Sequence, residues 1–498
     1  MTVSRRDFLA TTAATAATLS VAGVNRAFAS DVADIRVAQI GFNGQGRGHL
    51  RALGNNVVAL CDVDEKVLSN KADELKGKLG RKLETYTDFR KLLENKNIDA
   101  VSIATPNHTH AMITVAAAQA GKDVYVEKPA SHNIWEGRQM IAAARKYDRI
   151  IQCGTQSRSS PSLKAAVEFV QSGQLGDIKY ALGTCYKPRK GIGKSDKAFK
   201  FPKWIDRDLW LGPAADEAFY RPVKNSHGDY NPHYDWHWDF NTGNGDMGNQ
   251  GIHQMDIARW FLGEDSLAPR VMSIGGRLGY EDAGNTPNTQ IVYQAYEKAP
   301  LIFETRGLPR SKAGHKSWGD SMDRFRGSKI GVIVQCENGY VLVPSYTKAM
   351  AMDNQGNVIK EWSGGGGHHD NWLSAVASRD RTKLNAEIRV GHLSSSLCHT
   401  GAISHQVGEP KVAAEIAEYV KADELLSISF DRMASHLRAN GVDIDNEAEA
   451  LTLGPWLEVD TVAETITNNK AANQLRNRDQ RKPFAIPELE GDVALAKS

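Results

Sequence analysis

Short, almost continuously apolar runs alternate with amphipathic stretches between residues 35 and 153. Residues 35–40, 57–60, 100–104, 123–126 and 150–153 are each too short for a helix, and their lack of strict polar alternation predicts strands buried on both faces. Helical patterns separate them: one opening at His49, one over 89–93, an Ala-rich one ending at Gly121, and one capped by Asn133 with Glu136 placed for a capping box. This alternation predicts an α/β domain with a doubly wound parallel sheet, the Rossmann architecture, over residues 33–153.

Past Gly154 the pattern changes. A helix is expected over 162–171, stopped by Gly173, and runs at 271–278, 289–296 and 301–305 read as strands of a large, mostly antiparallel open sheet. Residues 371–378 read as a helix able to pack back on the first domain. In this reading residues 154–410 form a second α/β domain, and 411–498 an extension that wraps this domain or a neighbouring subunit.

Composition narrows the function classes. Of 498 residues 24% are charged and 41% hydrophobic, as in a globular protein, and the formal net charge is only +2. That balance argues against a nucleic-acid binder. The basic group Lys187, Arg189, Lys190 and Lys194 lacks interleaved aromatics and reads as a solvated loop face. Five cysteines without a C-x-x-C pair point to isolated buried thiols, with one opportunistic disulfide left open, and to no metal site.

Residues 1–29 read as an address. Ser4-Arg5-Arg6-Asp7-Phe8-Leu9 is a twin-arginine pattern, an Ala/Thr-rich run follows, and Ala27-Phe28-Ala29 offers the small residues a signal peptidase reads. The run is too short and too poor in Leu and Ile to span a bilayer; a short amphipathic anchor helix is the alternative. The Tat machinery exports folded proteins, so a periplasmic or exported location is expected, with any cofactor loaded beforehand and held tightly.

The first strand runs into Gly41-Phe42-Asn43-Gly44-Gln45-Gly46-Arg47-Gly48-His49, a variant of G-x-G-x-x-G with His49 at the third glycine. Such glycines let backbone N–H groups approach a diphosphate at a helix N-terminus, although a plain tight turn is also open. Asp62, sixteen residues past Gly46, is placed to bond an adenosine ribose and repel a 2′-phosphate, favouring NAD(H) over NADP(H); otherwise it is a surface carboxylate. Gly44, Gly46, Arg47, Asp62, Thr105, Pro106, His108, Glu127 and Lys128 form the candidate cofactor site at the sheet's carboxyl edge.

Together with Ala104-Thr105-Pro106-Asn107-His108-Thr109-His110, Glu127-Lys128-Pro129, Gly154-Thr155-Gln156-Ser157-Arg158 and the run from Trp238 to Asp256, these motifs resemble the Gfo/Idh/MocA family (glucose–fructose oxidoreductase / inositol dehydrogenase), in its exported bacterial branch. The resemblance covers most of 35–410. It implies a Rossmann domain followed by an α/β domain whose broad sheet often mediates homo-oligomerisation. It also implies that Lys128 is the active-site lysine beside the nicotinamide and that His253 is the general acid/base. Many family dehydrogenases carry an aspartate four residues before that histidine; here it is Asn249, which can orient a hydroxyl but cannot relay a proton. On α-helical spacing Asn249 and His253 share a face.

Oxidising a secondary alcohol requires a group to take the O–H proton as hydride leaves carbon. Histidine suits this near neutrality, and a lysine beside the oxygen stabilises developing alkoxide. Substrate contacts are expected from Gln156, Arg158, Trp236, His237 and Asp256, the last also a candidate for orienting His253. The segment Tyr234-Asp235-Trp236-His237-Trp238 is either a sugar-stacking platform or a wedge between domains. His108 and His110 either line the nicotinamide pocket or cap a helix. His233, His237 and His253 lack zinc-site spacing, and His368-His369, after a glycine run, reads as a mobile loop.

These features predict an NAD(H)-dependent oxidoreductase with a tightly bound cofactor, acting on a sugar or polyol hydroxyl. Two alternatives stay open: an NAD-dependent glycosidase working by transient oxidation and elimination, and a non-catalytic sugar-binding protein with structural NAD.

Overall fold

The computed structural model describes residues 31–446 and 451–489, so the twin-arginine segment lies outside the described residues. The first sheet contains β1 (Val37–Ile40), β2 (Val57–Cys61), β3 (Glu84–Tyr86), β4 (Ala100–Ile103), β5 (Asp123–Val126) and β6 (Ile151–Cys153), all parallel in the order β3-β2-β1-β4-β5-β6. Every residue of β1, β4 and β5 is buried, as strands covered on both faces require. The connecting helices are α1 (Gly46–Leu53), α2 (Glu65–Leu79), α3 (Phe89–Glu94), α4 (Asn107–Gln119) and α5 (Ile134–Lys146). Asn133 accepts from the Glu136 amide as expected, while the Glu136 carboxylate reaches back to the amide of His132 rather than that of Asn133. The long helix α2 was passed over in the sequence reading although Leu68, Ala72, Leu75 and Leu79 recur at helical spacing; only Leu68 is fully buried, and the other three pack half-buried beside it.

The second sheet has twelve strands. Chain order gives α6 (Pro161–Gln171), β7 (Ile178–Cys185), α7 (Arg207–Leu211), α8 (Ile252–Leu262), β8 (Arg270–Gly276), β9 (Thr289–Gln294), β10 (Leu301–Arg306), β11 (Ile330–Cys336), β12 (Gly339–Ser345), β13 (Lys348–Met352) and β14 (Val358–Ser363). These are followed by α9 (His368–Ser378), α10 (Ile388–Gln406), β15 (Glu409–Lys411), α11 (Ala413–Val420), α12 (Glu424–Ala439), β16 (Leu451–Leu453), β17 (Leu457–Asp460), β18 (Thr465–Ile466) and α13 (Lys470–Gln474). The main path runs β14-β13-β12-β11-β7-β10-β9-β8-β16-β15, antiparallel except where β10 meets β7. The sheet is therefore mixed and mostly antiparallel.

Residues beyond 410 are not a body of their own. Ile416, Phe430, Met433 and Leu437 of α11 and α12 pack on Met272, Ile274 and Ile291, covering one face of the sheet, and β16 pairs with β8. Phe484, Ile486 and Leu489 then cross back into the core of the first domain. The extension thus wraps the substrate domain, one of its two expected destinations, and the Rossmann domain besides.

Helix α9 does return to the first domain, burying Trp372 and Val376 against Val37, Leu60 and Tyr125. His368 and His369 are consequently not a mobile loop. They open α9, His368 is buried, and the His369 ring stacks on Tyr125 at 4.2 Å. All five cysteines are buried and unpaired. Among the described residues no helix is long and apolar enough to cross a membrane.

Candidate active site

The chain leaves β1 through Gly41, whose φ of +76° suits glycine and whose Cβ would lie 2.8 Å from the Ala104 carbonyl. Gly46 packs α1 against this turn so closely that a Cβ there would sit 2.2 Å from the Gly41 carbonyl oxygen. Gly44 instead faces open space, on the wall of a cavity of about 500 Å³. Asp62, leaving β2, lines the same cavity. Its carboxylate accepts from the amides of Phe42 (3.3 Å) and Asp64 (3.0 Å), and burial nevertheless pushes its pKa up to about 6. Thr105 and Pro106 form the adjoining wall.

Besides Gly46, which packs beneath the turn, two residues expected to bind the cofactor do not face this cavity. The Arg47 side chain is exposed, bonded to Asn43 Oδ1 at 3.0 Å, and borders a separate recess beside Arg51 and Glu74. His108 is wholly buried, its ring nitrogens each 2.9 Å from a carbonyl, of Thr242 and of Trp210. It ties α4 to the second domain instead. His110, between the carbonyls of Pro129 and Thr105, does reach the cavity wall.

Glu127 and Lys128, following β5, stand farther along the same wall. Burial would raise the Glu127 pKa, but hydrogen bonding to His49 and the neighbouring charges hold it at about 2. Its Oε1 also accepts from Gln156 at 3.0 Å, so Gln156 braces this carboxylate and is not a wall residue of the cavity. Lys128 Nζ donates to the backbone carbonyl of Asn249 at 2.6 Å, and burial lowers the pKa of its amine.

Asn249 belongs to a π-helical turn, Met247–Gly251, that precedes α8. The wider turn breaks the α-helical spacing on which Asn249 and His253 would share a face. Asn249 lines the cavity, whereas His253 does not. His253 is buried with its ring 4.7 Å from that of Tyr346, and its Nδ1 has no partner in the protein. Burial, and then the Lys128 charge, push its pKa down to about 3.

Trp236 and His237 both line the cavity, with rings stacked at 3.6 Å. They therefore sit on a ligand wall and at the domain junction at once. Arg158 and Asp256 do not contact the cavity. They form a buried pair at 2.9 Å, completed by Ser394 on Asp256 and by the Trp260 ring under Arg158, which locks α8 in place.

Two family models match in chain order. The oxidoreductase family's NAD-binding Rossmann fold matches residues 35–155, and its C-terminal alpha/beta domain matches residues 177–313, together about half of the chain. The chain belongs to the Gfo/Idh/MocA oxidoreductase family. A levoglucosan dehydrogenase of Pseudarthrobacter phenanthrenivorans is 26% identical over 211 residues, 42% of this chain and 45% of that protein. A myo-inositol 2-dehydrogenase of Thermotoga maritima is 32% identical over 142 residues, 28% of this chain and 42% of that protein. The chain spans less than half the length of these curated relatives. The WlbA dehydrogenase of Bordetella pertussis, solved with NADH and UDP-GlcNAcA, shares the fold with a TM-score of 0.52 at 16% identity, covering 74% of this chain and 93% of that one.

In this Gfo/Idh/MocA chain a segment of the second domain also lies across the Rossmann edge, which the sequence did not disclose. Asn43 donates to Asp229 (3.1 Å), His233 Nε2 lies 3.0 Å from the Asp64 carboxylate, and the Lys66 ammonium sits 3.3 Å above the Trp204 ring. Asp64 has a double duty, since its other oxygen caps α2. His233 carried no local signal beyond its residue type, because its partner is 169 positions away. The basic group was read correctly only in part: Lys190 and Lys194 are exposed as expected, whereas Arg189 is buried and paired with Asp246, and Lys187 is half-buried.

Proposed function

We propose that this protein transfers hydride between tightly held NAD(H) and a hydroxyl of a sugar or polyol. One observation carries this reading: Lys128 and Asn249 stand in the same cavity as Gly44 and Asp62. The cavity fits a dinucleotide, because Gly44 leaves the diphosphate end open and Asp62 offers a carboxylate where an adenosine ribose would bond. That carboxylate favours NAD(H), since a 2′-phosphate would meet like charge. When bound, the nicotinamide would exchange hydride with the substrate carbon.

The chain's own groups handle the proton. Lys128, steered by the Asn249 carbonyl, is directed at the reacting oxygen, and its lowered pKa lets the amine exchange a proton nearer neutrality. Asn249 orients a hydroxyl with its side-chain amide. His253, whose unpartnered Nδ1 lies behind the cavity wall, is assigned the onward proton step on the family resemblance alone. Trp236 and His237 supply an aromatic surface for sugar C–H faces. The segment holding Asp229 and His233 over the cleft supports slow cofactor release. Such retention suits the exported, twin-arginine location read from residues 1–29. The dehydrogenase names of the relatives and their sugar or polyol substrates support the same reaction class.

The test is twofold. Mass spectrometry of the denatured, purified protein should release NAD(H) and not NADP(H). The holoprotein, given a panel including myo-inositol, levoglucosan and aldoses, should develop NADH absorbance with at least one. A protein that carries NAD yet reduces it with no member of such a panel would not be the proposed dehydrogenase.

A further inference from the structure

The family resemblance gives the acid/base role to His253, but another histidine occupies the better position for it. His237 lines the cavity that holds Lys128 and Asn249, and His253 does not. The backbone ties His237 to those two residues. A Cβ on Gly243 would lie 2.6 Å from the His237 carbonyl oxygen. One turn later, closed by the Gly248 amide on the Asn244 carbonyl at 3.2 Å, the chain reaches Asn249, whose carbonyl holds Lys128.

The His237 ring is fixed in both orientation and tautomer. Its Nδ1 lies 2.5 Å from the Tyr234 carbonyl oxygen, which also accepts the His237 backbone amide at 3.2 Å. Because a carbonyl only accepts, Nδ1 carries the proton and Nε2 keeps its lone pair. Stacking on Trp236, at 3.6 Å and 20°, restrains the ring from turning. Tyr234 delivers its carbonyl from a backbone at φ +66° and ψ −55°, a conformation that a non-glycine residue keeps only where its surroundings impose it. His237 Nε2 makes no hydrogen bond with any described residue, and it is not sealed from solvent as His253 Nδ1 is. Burial pushes the His237 pKa down to about 3, so the ring is neutral before reaction.

We infer that His237 is a catalytic residue, accepting through Nε2 the proton that leaves the substrate hydroxyl. This deepens the oxidoreductase reading and rests on it. As the C–H electron pair passes as hydride to oxidised nicotinamide, the O–H bond breaks toward Nε2 and a carbon–oxygen double bond forms. The products are a carbonyl compound, NADH and an imidazolium, whose charge the Tyr234 carbonyl steadies through Nδ1–H. So acidic an imidazolium returns its proton to water. Lys128 is left to steady the charge growing on the oxygen.

Two measurements decide the matter, one of them without turnover. Holoprotein is treated with diethyl pyrocarbonate, which acylates an accessible, unprotonated imidazole nitrogen, and peptide mass spectrometry locates the modified histidines. His237 should react well ahead of the sealed His253. His237→Gln is then assayed with a panel sugar that the wild type oxidises. Its kcat should fall about 100-fold or more while KM and NAD content hold. A ring that only stacks on the sugar would instead raise KM at constant kcat. Melting curves identify a variant that has lost its fold, His237→Asn then takes its place, and the acylation result needs no variant. An unreactive His237, a kcat within about threefold of the wild type, or a loss confined to KM would each overturn the inference. A wild type that oxidises no sugar fails the dehydrogenase reading and takes this role with it. Oxidation that His237→Gln leaves intact fails this inference alone.

Discussion

Asp62 and Lys128 line different parts of one cavity, so substituting them separates cofactor binding from chemistry. Asp62→Ala removes the candidate ribose acceptor and should weaken NAD retention by about tenfold, read as the fraction of cofactor surviving gel filtration. Unchanged cofactor content would remove Asp62 from the ribose site. Lys128→Ala should leave NAD bound while turnover falls on the order of 100-fold or more, measured as initial rate against the same sugar. At this scale the sequence was legible wherever backbone geometry dictates residue type. Gly41 and Gly46 are demanded by close approach, and Lys128 follows a strand whose end must face the ligand edge. It was opaque wherever a partner lies far along the chain. Arg158 has the look of a substrate ligand until Asp256, 98 positions on, takes its guanidinium.

Between elements, the contact of the segment bearing His233 with the start of α2 sets a pH window. Burial alone would lower the His233 pKa, but the bond to Asp64 and the charges of Asp62 and Asp229 raise it above its usual value. Burial alone would raise the Asp64 pKa, but His233 and the first amides of α2 lower it. A raised imidazole stabilises the closed arrangement fully below its ordinary pKa of about 6.5, and loses that contribution as pH rises through the closed-state value. A lowered carboxylate contributes above its ordinary value of about 3.9 and loses the contribution as pH falls through the depressed one. Closure should therefore be strongest between about pH 4 and 6.5. NAD dissociation, followed by competition with excess labelled NAD, should be slower at pH 6 than at pH 8, and His233→Ala should abolish the difference. Two elements near this cleft were read poorly from the sequence. Helix α2 was passed over because its stripe of Leu68, Ala72, Leu75 and Leu79 is narrow and set among charged residues, and the π-helical turn before α8 reads as an ordinary helix start because only its ring size differs.

Over the whole molecule, the two sheets were visible in the pattern of apolar runs, while the role of the residues beyond 410 was not. Helices α11 and α12 cover part of the broad sheet that the family resemblance pointed to for self-association. Farther on, Arg478 lies 3.2 Å from the buried Glu136 and donates to the His108 carbonyl, and Phe484 enters the Rossmann core at 3% exposure. Phe484→Ala should cost about 3–5 kcal/mol, measured by denaturant titration, if the two domains unfold together. A low, separate transition for the Rossmann half would instead show that the cross-over is dispensable to the rest. This return path also orders events during synthesis. The Leu489 amide bonds Gln139, a residue made 350 positions earlier. Although nascent domains generally fold in the order they emerge, the nucleotide-binding half here lacks a piece of its interior until residues 484–489 have been made. Its finished form, and any nucleotide trapped within it, therefore follows synthesis of the second domain.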